Sequence, residues 1–190
     1  MKRLTALALA MVLAFSFAAC GSEKNGQGAE SNSQVEIADS TELLTKVWEA
    51  YPTEKFPVMG GGYEEPVTDL PGTIDHTNAE TMEALLGMPA DAAEYVHDAA
   101  SMMHMMNANT FTAGAYRMNS SENVQAFADL MKDALMNRQW MCGIPEKMVI
   151  ASVGDDYVVT IIGAADLLES FKTALDEVYG AELLYEEGIA

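Results

Sequence analysis

The sequence predicts an α+β fold: a four-stranded antiparallel sheet in the order β-β-α-β-β-α, with helices packed on one face and short N-terminal helices before it. Three observations carry that expectation. Residues 147–162 read as a hairpin, Met-Val-Ile-Ala-Ser-Val and Tyr-Val-Val-Thr-Ile-Ile about the turn Gly154-Asp155-Asp156. Residues 97–106 and 110–118 read as a second strand pair, separated by Asn107-Ala108-Asn109. Each pair is followed by one long amphipathic helix. Hairpins do not build an all-parallel sheet, so an antiparallel sheet with both long helices on one face is the economical arrangement.

Taken in order, residues 40–51 place Leu43, Leu44, Val47 and Trp48 on one helical stripe, with Asp39 and Glu42 spaced for a capping box. Pro52 and Pro57 stop that helix. Residues 52–76 hold Pro52, Pro57, Gly60-Gly61-Gly62, Pro66 and Pro71-Gly72, and read as a mobile linker. The triple glycine lacks the Gly-Lys-Ser/Thr and the strand-to-helix setting of a phosphate loop. Thr77-Asn78-Ala79-Glu80 opens a short helix through Met82, Leu85 and Leu86, with Gly87 as its stop. Pro89 can begin a further turn through Ala92, Ala93 and Tyr95. In the strand 110–118 Thr110, Thr112, Tyr116 and Met118 alternate with Phe111, Ala113, Ala115 and Arg117. Asn119-Ser120-Ser121-Glu122 starts a helix whose stripe is Val124, Phe127, Ala128, Met131, Ala134 and Leu135. The last helix, 166–179, buries Leu168, Phe171, Leu175 and Val178 and meets Gly180. Residues 181–190 carry no clear signal.

The N-terminus sets the address. Lys2 and Arg3 precede an apolar run to Ala19, and Cys20 follows Phe17-Ala18-Ala19. A positive start, an apolar middle and small residues before the cut make a secretory signal. A cysteine at that cut resembles the lipobox of bacterial lipoproteins, which implies lipid attachment at Cys20. The apolar run is short of the roughly 20 residues a spanning helix needs. The expected division is a signal peptide over 1–19, a lipid anchor and flexible tether over 20–35, a helix and Pro/Gly-rich linker over 36–76, and an α+β domain over 77–190. About 155 residues beyond the tether suffice for one domain with a real core.

The chain has 29 acidic and 10 basic residues and a formal net charge of −19, and loss of Lys2 and Arg3 makes it more negative still. Nucleic acid is excluded as a partner by that balance. The acids are scattered, and no run has calcium-loop spacing. With Cys20 lipidated, Cys142 has no disulfide partner, so the fold must rest on apolar packing.

The order of parts resembles a family of uncharacterised bacterial lipoproteins that share a domain of unknown function. The resemblance runs over residues 80–180. It rests on Leu85-Leu86-Gly87-Met88-Pro89 to Glu94-Tyr95-Val96, on Met105-Met106-Asn107 before a strand, on the long helix to Gln139 and on the hairpin Val149 to Ile162. It implies a fold and an extracytoplasmic address at the cell membrane, and transfers no catalytic residue.

Chemistry is thinly marked. Met102-Met103-His104-Met105-Met106 is the most unusual cluster. On a strand Met102, His104 and Met106 share one face and could hold a soft metal such as Cu(I). The competing reading is a core face filled by methionine. His97 falls on the opposite face from His104, and His76 sits beside Asp75 in a loop. No Gly-x-Ser-x-Gly elbow or triad is visible, and Asp155-Asp156 belongs to a turn. The expectation is a membrane-anchored lipoprotein, without catalysis or cofactor, that binds a protein or small-molecule ligand. A copper carrier is the alternative.

Overall fold

A computed structural model describes residues 36–106, 110–141 and 143–189; the signal, Cys20, the tether and Cys142 lie outside the described residues. Residues 34–190 form one compact unit.

Tyr157–Gly163 is buried at every position and Lys147–Val153 at all but its first. An antiparallel strand with no solvated positions must be covered on both faces. The rest of the chain is arranged to do that.

In chain order the elements are α1 (Ser40–Glu49), β1 (Val58–Gly60), β2 (Val67–Thr68), β3 (Gly72–Ile74), α2 (Ala79–Leu86), β4 (Val96–His104), β5 (Phe111–Met118), α3 (Val124–Asn137), β6 (Lys147–Val153), β7 (Tyr157–Gly163), α4 (Ala165–Tyr179) and β8 (Glu182–Gly188). A 3-10 turn over Ala90–Tyr95 leads into β4. The strands form one antiparallel sheet ordered β2-β1-β4-β5-β7-β6-β8, and β3 pairs with β4 beyond the end of β1.

The expected four-stranded β-β-α-β-β-α unit is therefore corrected. Its four strands are present as β4, β5, β6 and β7, but the sheet has eight strands. The segment 52–76 supplies β1, β2 and β3, and the C-terminal tail supplies β8. The helices also do not share a face. Leu43, Leu44, Val47 and Trp48 of α1 and Leu168, Phe171 and Leu175 of α4 join one core with Ala113, Val149, Val159 and Ile161. Met82 and Leu86 of α2 and Phe127, Met131 and Leu135 of α3 join the other with Tyr116, Met148, Ile150 and Val158. The physical reason is the period-2 alternation of strands whose both sides are apolar: a single layer of helices would leave one side of β6 and β7 in water.

Local chemistry starts α1 and α2. Asp39 accepts from the Glu42 N–H at 2.8 Å, and the Glu42 carboxylate accepts from Ala38 N–H at 2.7 Å. Asn78, not Thr77, caps α2 by accepting from Thr81 N–H at 3.1 Å, while Thr77 donates to Asp75. Gly87 and Gly180 end α2 and α4 in left-handed backbone. The first N–H of α4 is satisfied from a distance, by the Glu146 carboxylate at 2.9 Å.

Aromatic rings knit the first core. Trp48 meets Tyr51 and Phe56, Phe56 meets Phe111, and Phe111 meets Phe171 at 5.5 Å. This contiguous set ties α1 to α4 across the sheet, with each pair worth about 0.5–1.5 kcal/mol beyond its buried area. In the second core Tyr116 is wholly buried and packs at a tilt against Phe127, with ring centroids 4.8 Å apart. Burial pushes its hydroxyl well above the ordinary tyrosine range. At the sheet edge β8 is held from both faces. Tyr185 donates to Asp129 of α3 under the Lys132 ammonium, and Glu186 accepts from Lys147 and Lys172.

The glycines at 60 and 72 are required by close approach. A Cβ on Gly60 would fall inside the backbone of Pro71 and Gly72, where nothing can rotate aside. Gly60→Ala is expected to cost about 1–3 kcal/mol by overpacking. Gly188→Ala, whose Cβ meets nothing within 4 Å, should leave the thermal midpoint unchanged. Equal melting of the two variants would contradict the packing of β1 on β3.

Candidate functional site

Helix α3 ends at Asn137 because Arg138 takes extended backbone, at φ −66° and ψ 134°. The chain then runs outside helix and strand towards Gly143, which has a positive φ of 80°, and Pro145. Arg138 folds its side chain back over α2. Its Nη2 donates to the Ala84 carbonyl at 2.7 Å, one of the last-turn acceptors that a helix leaves open. The guanidinium lies over the Trp140 ring at 4.9 Å. Gly87 makes room for it, since a Cβ there would stand 2.7 Å from Nη1.

Among the described residues two donors in this arrangement have no acceptor: Arg138 Nη1 and Trp140 Nε1 are both buried without a hydrogen-bond partner. A buried donor left without an acceptor costs about 1–3 kcal/mol. The cations Lys46, Arg117, Lys147 and Lys172 each face a carboxylate. Lys55 and Lys132 lie over aromatic rings. Arg138 has no carboxylate at ion-pair distance among the described residues. Burial pulls its guanidinium below the ordinary value, opposed by the nearby Glu83 charge; an arginine stays protonated nonetheless.

These residues wall a cleft of about 430 Å³ between α2, the end of α3 and the ends of β4 and β5. Leu85, Met103, Phe111, Trp140 and Ile162 line its apolar side, and Thr110, Thr112, Gln139 and His104 contribute polar groups. Met106 and Met141 stand at the lining with 61% and 93% of their surface exposed. An adjoining cleft of about 630 Å³ shares Ala84, Arg138 and Gln139 and includes Glu80 and Glu83.

The structure places the sequence-expected metal residues as follows. Met102 is sealed in the α1–α4 core. His104 lies at the end of β4, stacked face to face on Phe56 at 4.9 Å. Its Nδ1 accepts from the Met106 N–H at 2.9 Å, which puts the proton of the neutral ring on Nε2. Neither nitrogen then offers a lone pair to a metal. Met103, not Met102, reaches the cleft, together with Met106. Among the described residues no group of three His, Cys, Asp or Glu side chains could hold a metal ion. His97 is exposed and Gly60 is a strand residue. Asp156 pairs with Arg117 at 3.1 Å beside the tight turn. Cys20 and Cys142 lie outside the described residues.

Arg138 and Trp140 escaped sequence reasoning because they sit between elements. The available signal was scarcity: one of ten basic residues stands two positions from one of two tryptophans. Compared with family models, curated proteins and solved structures, the chain matches none.

Burial holds His104 below the ordinary histidine value. The unfolded chain therefore takes up this proton more readily, and the residue's contribution to stability falls as pH drops through the ordinary value. Nitrogen-15 NMR should show a neutral ring with its proton on Nε2 and a midpoint below that of an exposed histidine. A midpoint at or above the ordinary value would contradict the stacked, desolvated placement.

Proposed function

We propose that this chain is a lipid-anchored, extracytoplasmic binding protein that holds a small ligand, without catalysis, in the cleft beside Arg138. The observation that carries the ligand is one of charge. The chain has 29 acidic and 10 basic residues, yet among the described residues no carboxylate lines the cleft and an arginine does. Its volume falls within the range of ligand pockets, roughly 300–1,000 Å³, and its lining joins predominantly polar surface to the apolar side chains of Leu85, Met103, Phe111, Trp140 and Ile162. The anchor rests on the signal pattern ending at Cys20, the polar stretch to residue 35 and the resemblance to envelope lipoproteins. Among the described residues no helix is long and apolar enough to cross a membrane, so attachment falls to the lipid.

Thermal melting of residues 34–190 against a panel of small anions, cations and neutral molecules tests the ligand. A ligand that binds the folded form alone, at about 100 times its Kd, adds about 2.7 kcal/mol. Anionic hits that disappear in Arg138→Gln are expected; hits confined to cations would contradict the proposal. For the anchor, Cys20→Ser should move the chain from the membrane to the soluble fraction, and unchanged partitioning would overturn it.

A further inference from the structure

We infer that the ligand is a monoanionic amphiphile, a single carboxylate on a medium-length apolar chain; this rests on the cleft being the binding site. Arg138 Nη1 and Trp140 Nε1 are two N–H donors lacking acceptors, on one short segment, with guanidinium and ring 4.9 Å apart. A carboxylate has two oxygens, and a hydrogen bond to a charged acceptor is stronger than one between neutral groups.

The surroundings select the charge. Glu80 and Glu83 line the adjoining cleft, and the whole chain is strongly acidic. A second negative charge on the ligand meets repulsion that one arginine does not offset. That argument disfavours inorganic phosphate and other dianions. The walls select the body. Leu85, Met103, Phe111 and Ile162 form the apolar side. Met106 and Met141 are unbranched, exposed and adaptable, and can close over an alkyl chain. At about 430 Å³ the cleft stands near the lower end of the ligand-pocket range, which suits one short chain rather than a two-chain lipid.

Isothermal titration of residues 34–190 with decanoate, decanamide, acetate and inorganic phosphate, all below the micelle concentration of decanoate, tests this. Decanoate should bind about 10- to 100-fold more tightly than decanamide, the weight of a charge-assisted hydrogen bond, and acetate and phosphate more weakly than decanoate. Arg138→Gln should abolish the preference for decanoate over decanamide. Because Arg138 also supports α2, Met141→Glu provides a second variant at a side chain 93% exposed. It should weaken decanoate several-fold more than decanamide, since both chains lose the same methionine and only the carboxylate meets the new charge. Equal binding of decanoate and decanamide, or tighter binding of phosphate, would overturn the carboxylate while leaving the cleft as the site. Binding of none of the four would overturn the amphiphile, and the cleft with it if the wider melting panel also gives no anionic hit.

Discussion

Burial of both faces of the central strands is the constraint on which the structure depends. β6 and β7 are buried on successive positions, so each side of the sheet needs its own layer. Phe127, Met131 and Leu135 of α3 supply one side, helped by Met82 and Leu86 of α2. Phe171 and Leu175 of α4 supply part of the other, and α1 completes it with Leu43, Leu44, Val47 and Trp48. With both layers in place, β4 gains short partners in β1 and β3, and β6 gains β8. Short edge elements blunt the sheet: β2 has two residues, and β8 carries a register shift opposite Ile150 and Ala151 together with several acids. Both devices oppose pairing with another chain.

The cleft follows from where the layers end. α3 stops at Asn137, and the chain must cross from one helix layer to β6. In that crossing Arg138, Gln139, Trp140, Met141, Gly143 and Pro145 lie against the ends of β4 and β5 and leave a gap beside α2. Arg138 satisfies an open carbonyl of α2 but keeps one nitrogen without an acceptor. Elsewhere in a chain rich in carboxylates such a donor would find one nearby. Among the described residues no carboxylate lines this cleft, although Glu83 stands near Arg138 on the side of the adjoining one, and burial strengthens the guanidinium's field.

Much of the fold was legible in the sequence. The four longest inner strands, all four α-helices and the stops at Gly87 and Gly180 carry strong local signals, and the structure holds each of them. What failed was their assembly. β1, β2 and β3 are two or three residues long and sit among prolines and glycines, so their pairing depends on β4 rather than on their own pattern. β8 mixes leucines and glutamates and is fixed by Tyr185 and Glu186 reaching partners on α3 and α4. The two-sided layering was signalled by the apolar runs at 148–151 and 157–162, the second interrupted only by Thr160, which a one-faced sheet does not need. For the site, the cluster 102–106 drew attention by composition, yet strand alternation sent Met102 into the core and Met103 to the cleft. Arg138 and Trp140 carried no periodic signal at all, because their role arises only when α2, α3 and the sheet are brought together.

The most direct test of the two-layer account is the unfolding of residues 77–190 alone. That piece keeps β4 to β8 and three of the helices but lacks α1 and β1 to β3, exposing one face of the sheet. It should show no cooperative thermal transition and little near-ultraviolet circular dichroism, whereas residues 34–190 melt cooperatively. Cooperative melting of 77–190 with native-like side-chain signals would contradict the claim that the central strands need covering from both sides.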